Sequence, residues 1–216
     1  MHITSEERDA VYKTIFSRRD VRSEFKPESV PDDVLNRILL AAHHAPSVGF
    51  MQPWDFIVVK NSTTKSAIKA GFLQAHAEAA ELFEGERKAK YQSLKLEGIE
   101  EAPLGICVTC DRTRTGSVVL GRTAKPEMDL FSSVCAVQNL WLAARAENLG
   151  MGWVSIVHDN VIRDALRIPE HIDIIAYLCL GYVEKFHHTP DLERAGWLPR
   201  KEAKTAIHYE YWSEPD

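Results

Sequence analysis

The sequence predicts helices and strands mixed within one domain. Three observations lead there. Helix-like and strand-like apolar patterns alternate along 216 residues, a length that suits one sizeable core. The stretch Met128 to Leu149 is apolar nearly all round before Arg145. Such a helix is buried on most sides, here as a spine against a sheet and a second subunit. No linker, internal repeat or low-complexity tract divides the chain, so 1–216 is expected to be a single domain.

Composition narrows the function. Hydrophobic residues make up 45% and charged residues 26%, ordinary for a soluble protein. Net charge is −5, and no basic run exists beyond one arginine cluster. That argues against nucleic-acid binding, which needs broad positive potential. No apolar run approaches the roughly 18 residues of a membrane span. Met1-His2-Ile3-Thr4 lacks the pattern of a signal peptide, so a cytoplasmic location is expected. Of the four cysteines, Cys107 and Cys110 form a C-x-x-C inside an apolar strand pattern. Residues three apart on a strand face opposite ways and cannot pinch one ion. Core packing, and no metal, is the expectation.

Thr4 to Arg18 reads as a helix, opened by a Thr4/Glu7 capping box and carrying Val11/Ile15 and Tyr12/Phe16 pairs. A second helix starts near Pro31 and is ended by Pro46. An irregular loop, Ala45 to Pro53, feeds a strand Trp54–Val59. Its Ser47 and Gln52 are candidate polar contacts; Phe50, Met51 and Trp54 are candidate walls or plain packing. Thr63 to about Phe83 is an alanine-rich helix. Residues 84–101 are dense in charge, either a solvated hairpin or a cover over a site. Leu104–Cys110 is a buried strand. Asp111 to Lys125 is a loop whose Arg112, Arg114 and Arg122 raise a second anion site as a minor reading. Gly150 is expected to stop the long helix. Met151 to Val157 is a strand in which Ser155 is either a satisfied core hydroxyl or a ligand contact. Asp159 caps a helix to Arg167, Ile172–Val183 is a strand, and the aromatic tail 184–216 suits packing on another subunit.

The chemistry centres on Ser17-Arg18-Arg19-Asp20-Val21-Arg22. Arginines this close repel one another unless an anion sits among them, and guanidinium forks suit phosphate. A solvated basic helix end is the competing reading. Arg18, Arg19 and Arg22 are expected to hold Asp20 ionised. Alternatively, Asp20 merely pairs with Arg22. No dinucleotide fingerprint, P-loop, H-E-x-x-H or G-x-S-x-G is present.

These motifs resemble the flavin-dependent nitroreductase family. Its R-R-S-x-R type motif corresponds to Arg18–Arg22, its P-S-x-x-N-x-Q-P-W loop to Pro46–Trp54, and its glycine-rich strand start to Gly150-Met151-Gly152-Trp153. The resemblance implies an α+β fold: a mixed, mostly antiparallel sheet flanked by helices, with the long helix at an intertwined homodimer interface. It implies FMN as cofactor, held by Arg18, Arg19, Asp20, Val21, Arg22, Ser47, Met51, Leu104, Gly152, Ser155 and Arg200. Asp20 replaces the family's serine and Phe50 its asparagine. With Tyr91–Gly98, Ile106–Arg112 and Gly152–Ile156, these departures are similar to the branch that fragments its own reduced FMN with O2. That branch implies Asp20 as acid/base carboxylate and Ser155 as a polar group near the flavin. It also implies a separate flavin reductase as the source of reduced FMN. An NAD(P)H-dependent nitroreductase and a flavin-storing protein are the alternatives; bulky Phe50, Met51 and Trp54 oppose an open nicotinamide face. Residues 84–101 would then be a lid that keeps water out.

Overall fold

The computed structural model describes residues 2–212. Helices α1 (Ser5–Ser17) and α2 (Asp32–His43) precede strand β1 (Trp54–Val59). Helices α3 (Ser62–Ala80) and α4 (Gly85–Ser93) lead to β2 (Leu104–Cys110). Then come α5 (Met128–Ala146), β3 (Leu149–Val154), α6 (Asp159–Leu166), β4 (Asp173–Tyr182) and the one-turn α7 (Asp191–Arg194).

The strands form one sheet in the order β1-β2-β4-β3, with every neighbouring pair antiparallel. The parallel element is a single bridge, Asp20 to Met151. Side chains alternate across the sheet, as a period of two dictates. Leu104, Ile106, Val108, Leu178 and Leu180 face α2 and α5, against Ile38, Val137 and Leu140. Cys107, Tyr177 and Cys179 face the other way, against Ile68 and Phe72 of α3 and Ile162 of α6. Cys110 instead meets Ser133 of α5, so the C-x-x-C is split between faces as expected. Among the described residues, no group of three or more His, Cys, Asp or Glu is placed to hold a metal ion. None of their helices is long and apolar enough to cross a membrane.

Several local readings need correction. Gly150 does not stop α5. Asn148 takes the left-handed turn (φ 59°), which asparagine tolerates. Gly150 instead pairs with Gly181 inside β3. That strand ends at Val154, which leaves Ser155 exposed just beyond it and not a satisfied core hydroxyl. Asp159 is the first helical residue of α6; His158 holds the cap position without a side-chain bond. Within the single chain, the spine helix packs on the sheet and leaves Phe131, Val134 and Cys135 exposed, which is compatible with the expected second subunit. Likewise α1 buries no residue and exposes Val11, Tyr12, Ile15 and Phe16.

Residues 84–101 are neither a hairpin nor wholly solvated. Tyr91 of α4 stacks on His76 and Phe83, near Trp197. The following strap is pinned to α3. Lys65 Nζ donates to Ala102 O at 2.7 Å, and Ser66 Oγ donates to Glu100 at 2.6 Å. Glu97, 3% exposed, pairs with Lys69 and Lys95 and accepts from Ile99 N at 2.8 Å.

Candidate active site around the arginine turn

The capping box forms as read: Thr4 Oγ1 accepts from Glu7 N, and Glu7 accepts from Thr4 N at 2.8 Å. It fixes where α1 begins, and the helix ends at Ser17, directly before the arginines. Arg18 is already extended (φ −62°, ψ 138°). The chain then lies along the free edge of β3, where unpaired backbone groups await partners. Val21 N donates to Met151 O at 2.9 Å. Close approach needs Gly152, where a Cβ would overlap the Val21 carbonyl oxygen. Gly152 therefore acts here by making room for the turn.

The three arginines do not act as one group. Arg19 is spent on main-chain carbonyls: Nε donates to His187 O at 2.9 Å, and Nη1 donates to Phe16 O and Arg18 O. Nη2 reaches His188 O. Arg22 pairs with Asp20. Arg18 has no ion pair among the described residues, and its guanidinium lies 4.6 Å over the Trp141 ring. A cleft of 590 Å³ gathers Arg18, Arg19 and Arg200 with Phe16, His188 and Glu193. Burial lowers the Arg18 pKa, and Arg19 and Arg200 press it the same way while Asp20 opposes them. Crowded, incompletely neutralised cations in a cleft fit an anionic group such as phosphate. The expected late contact, Arg200, thus joins Arg18 and Arg19. Glu193 and His188 were not foreseen, because nothing in the tail's sequence marks its return to this turn.

Asp20 sits between the two halves of this region. One carboxylate oxygen accepts from Trp153 N at 3.0 Å and the other from Arg22. Burial raises its pKa above the ordinary carboxylate value, although Arg22, the Trp153 N–H and Arg18 pull it down. Of the two readings, the pair with Arg22 forms, and desolvation shifts the carboxyl against the pull of the arginines. A second cleft of 280 Å³ opens beside Arg22, between Lys90 and Ser93 of α4 and Arg194 of α7.

Other expected contacts lie elsewhere. Ser47 Oγ accepts from Gln52 N at 3.1 Å, which shapes its own loop. Met51 is 2% exposed, and Leu104 is buried in the core. Ser47 and Met51 adjoin β1, while Asp20 and Gly152 adjoin β3, at the opposite edge of the sheet. Three inter-strand steps make that roughly 14 Å. One chain does not bring the two groups together. Ser155 lies at the rim of a 190 Å³ cleft with Trp153 and Asp159.

The second anion site is overturned. Arg112 and Arg122 both bond Asp129, at 3.1 and 2.9 Å, and that carboxylate is 0% exposed. Arg114 pairs with Asp55 and donates to Gln52 O at 2.8 Å. In the tail, Trp197 packs on Phe83, whereas Tyr209, Tyr211 and Trp212 are exposed; residues 213–216 lie outside the described residues.

The sequence pattern of the nitroreductase family matches residues 15–182, and the chain belongs to that family. It is 41% identical over 184 residues to the 5,6-dimethylbenzimidazole synthase of Rhodospirillum rubrum, covering 85% of this chain and 87% of that protein. It is 38% identical over 197 residues to the 5,6-dimethylbenzimidazole synthase of Rhodobacter capsulatus, covering 91% and 95%. In fold it resembles an iodotyrosine deiodinase bound to FMN and 3-iodo-L-tyrosine, with a TM-score of 0.74 at 22% identity over 94% of this chain and 100% of that one. A nitroreductase-like protein of Parabacteroides distasonis gives a TM-score of 0.66 at 23% identity over 94% and 98%.

Proposed function

We propose that the protein fragments reduced FMN with dioxygen to give 5,6-dimethylbenzimidazole and erythrose 4-phosphate. The observation that carries this reading is the carboxyl of Asp20, half-buried against β3 beside the cleft of unneutralised arginines. The relatives named for this product, similar over most of their length, support it. Arg18 and Arg200 would hold the phosphate, with Arg19 fixing the turn that presents them. Bound reduced FMN supplies the electrons that activate dioxygen and the carbon skeleton of the product.

Asp20 then acts as the proton acceptor. Ionised, it can take a proton from carbon, and burial makes it a stronger base than an ordinary aspartate. Product formation should therefore rise with pH along an acid limb lying above about 3.9, the usual aspartate value. The exposed hydroxyl of Ser155 is free to hydrogen-bond a flavin or oxygen atom.

The working unit is a homodimer. Two features support it: the bare apolar faces of α1 and α5, and the separation of the Ser47–Met51 loop from Asp20. Each site takes the arginine turn from one subunit and the loop from the other, and the tail (184–216) embraces the partner. Helix α4, beside Arg22, closes over the site. A separate flavin reductase supplies reduced FMN.

The test is to load the protein with FMN, reduce it without air, admit oxygen and assay for dimethylbenzimidazole. Asp20→Asn should bind FMN normally and lose product by about a hundredfold or more. Wild-type yield from that variant removes the role given to Asp20. Recovery of intact FMN from the wild type, or steady NADPH turnover with a nitroaromatic, replaces the reading altogether.

A further inference from the structure

We propose that Trp141 is a positioning residue that sets the protein's preference for a phosphorylated flavin over the unphosphorylated one. The proposal rests on the phosphate role given above to Arg18. Trp141 is buried in α5, 8% exposed, with its ring packed in the core beside Trp153. It makes two contacts with the arginine turn. Its ring face carries the Arg18 guanidinium at 4.6 Å, and its Nε1–H donates to Arg19 O at 3.2 Å. One helical turn further on, Arg145 Nε donates to Ser17 O at 3.3 Å. Residues four apart share one helix face, so α5 grips residues 17–19 from a single side.

The electrostatics explain why a ring is needed. Arg18 faces the charges of Arg19 and Arg200, with Asp20 opposing them from a distance, and among the described residues no carboxylate is bonded to it. Left alone, such a side chain swings toward water. An aromatic face attracts the cation without neutralising it, so the guanidinium stays in the cleft with its donors still available. A carboxylate in the same place would hold Arg18 as firmly but would compete with the incoming phosphate. Holding the side chain in advance also removes the entropy otherwise lost on binding. Indole gives the strongest cation–π attraction of the aromatic side chains, and this ring is desolvated by the core.

A flavin without a phosphate should not feel this device, and that separates positioning from mere packing. The experiment measures the affinities of the full-length protein for FMN and for riboflavin by quenching of flavin fluorescence. The readout is their ratio in the wild type, Trp141→Phe and Trp141→Leu. We expect the ratio to fall about threefold in Trp141→Phe, which keeps a weaker ring face and loses the Nε1–H bond. It should fall about tenfold in Trp141→Leu, which loses both. Riboflavin affinity should change less than about twofold throughout, the scale of the energy left once no cation–π contact is involved. If Trp141→Leu fails to fold, the phenylalanine variant decides alone. An unchanged ratio, or equal losses for both ligands, overturns the proposal and leaves the proposed function standing. A wild type that binds riboflavin as tightly as FMN removes the phosphate grip, and both readings with it.

Discussion

Two stretches of this chain carry three arginines each, 18–22 and 112–122, and the structure uses them in opposite ways. In the second, every guanidinium has a carboxylate partner: Asp129 takes Arg112 and Arg122, and Asp55 takes Arg114. In the first, Arg18 has a ring face and, among the described residues, no ion pair, and it shares a cleft with Arg200. The number of arginines is the same, but the supply of pairing carboxylates differs. A cluster becomes an anion site where its charge is left uncompensated; where compensated, it becomes a brace. Here the brace ties the 111–125 loop to the start of α5.

The most damaging way to break this contrast is to remove the brace's carboxylate. Asp129→Asn leaves two cations against a buried site and should cost about 3 kcal/mol. At this size, that is a fall in melting temperature of roughly 10 °C, read by thermal unfolding. Next in size is the paired exchange. Arg18→Gln should weaken FMN binding about tenfold or more with little change in melting temperature, since a charge-assisted bond to phosphate is lost. Arg122→Gln should do the reverse, lowering stability and leaving FMN affinity within twofold, because it gives up its Asp129 pair and its bonds to Arg112 O and Ser117 O, none of them in the cleft. If both variants weaken FMN binding equally, the distinction between site and brace fails.

The smallest effect concerns the strap. Burial raises the Glu97 pKa, but Lys69, the Ile99 N–H and Lys95 outweigh it and leave the carboxyl below its ordinary value. A depressed carboxylate contributes stability above its unfolded pKa and loses it as pH falls through the folded one. Glu97→Gln should therefore cost about 1 kcal/mol at neutral pH, since glutamine can still accept from Ile99 and the lysines can turn to water. That difference should close below about pH 4, as followed by denaturant titration at several pH values. A deficit independent of pH would mean that shape, and not charge, holds the strap.

Local signals served well where local physics decides. The Thr4/Glu7 box placed α1, and the apolar runs gave β1 and β2 their observed ends. The Arg18–Arg22 motif falls on the turn that lies along β3. What could not be read was pairing at long range. Nothing near Arg112 announces that Asp129 is buried, because a carboxylate in the first turn of a helix usually faces water. The charges of 84–101 suggested a solvated segment, but α3 presents lysines that draw Glu97 inward. Gly150 was a sound stop signal in isolation, yet Asn148 came first and sheet pairing took the glycine. Asp20 showed its neighbours' charges in the sequence but not the depth that outweighs them.

Gly152 bears on how such a protein can diverge. Because the Val21 carbonyl occupies the space of a missing methyl group, the arginine turn and β3 are locked into one spacing by an absent atom. Drift at that position cannot proceed by small steps: even alanine would lift the turn from the sheet. Descendants can retune the pocket through residues 20, 141 or 155, but they inherit the distance between its two walls unaltered.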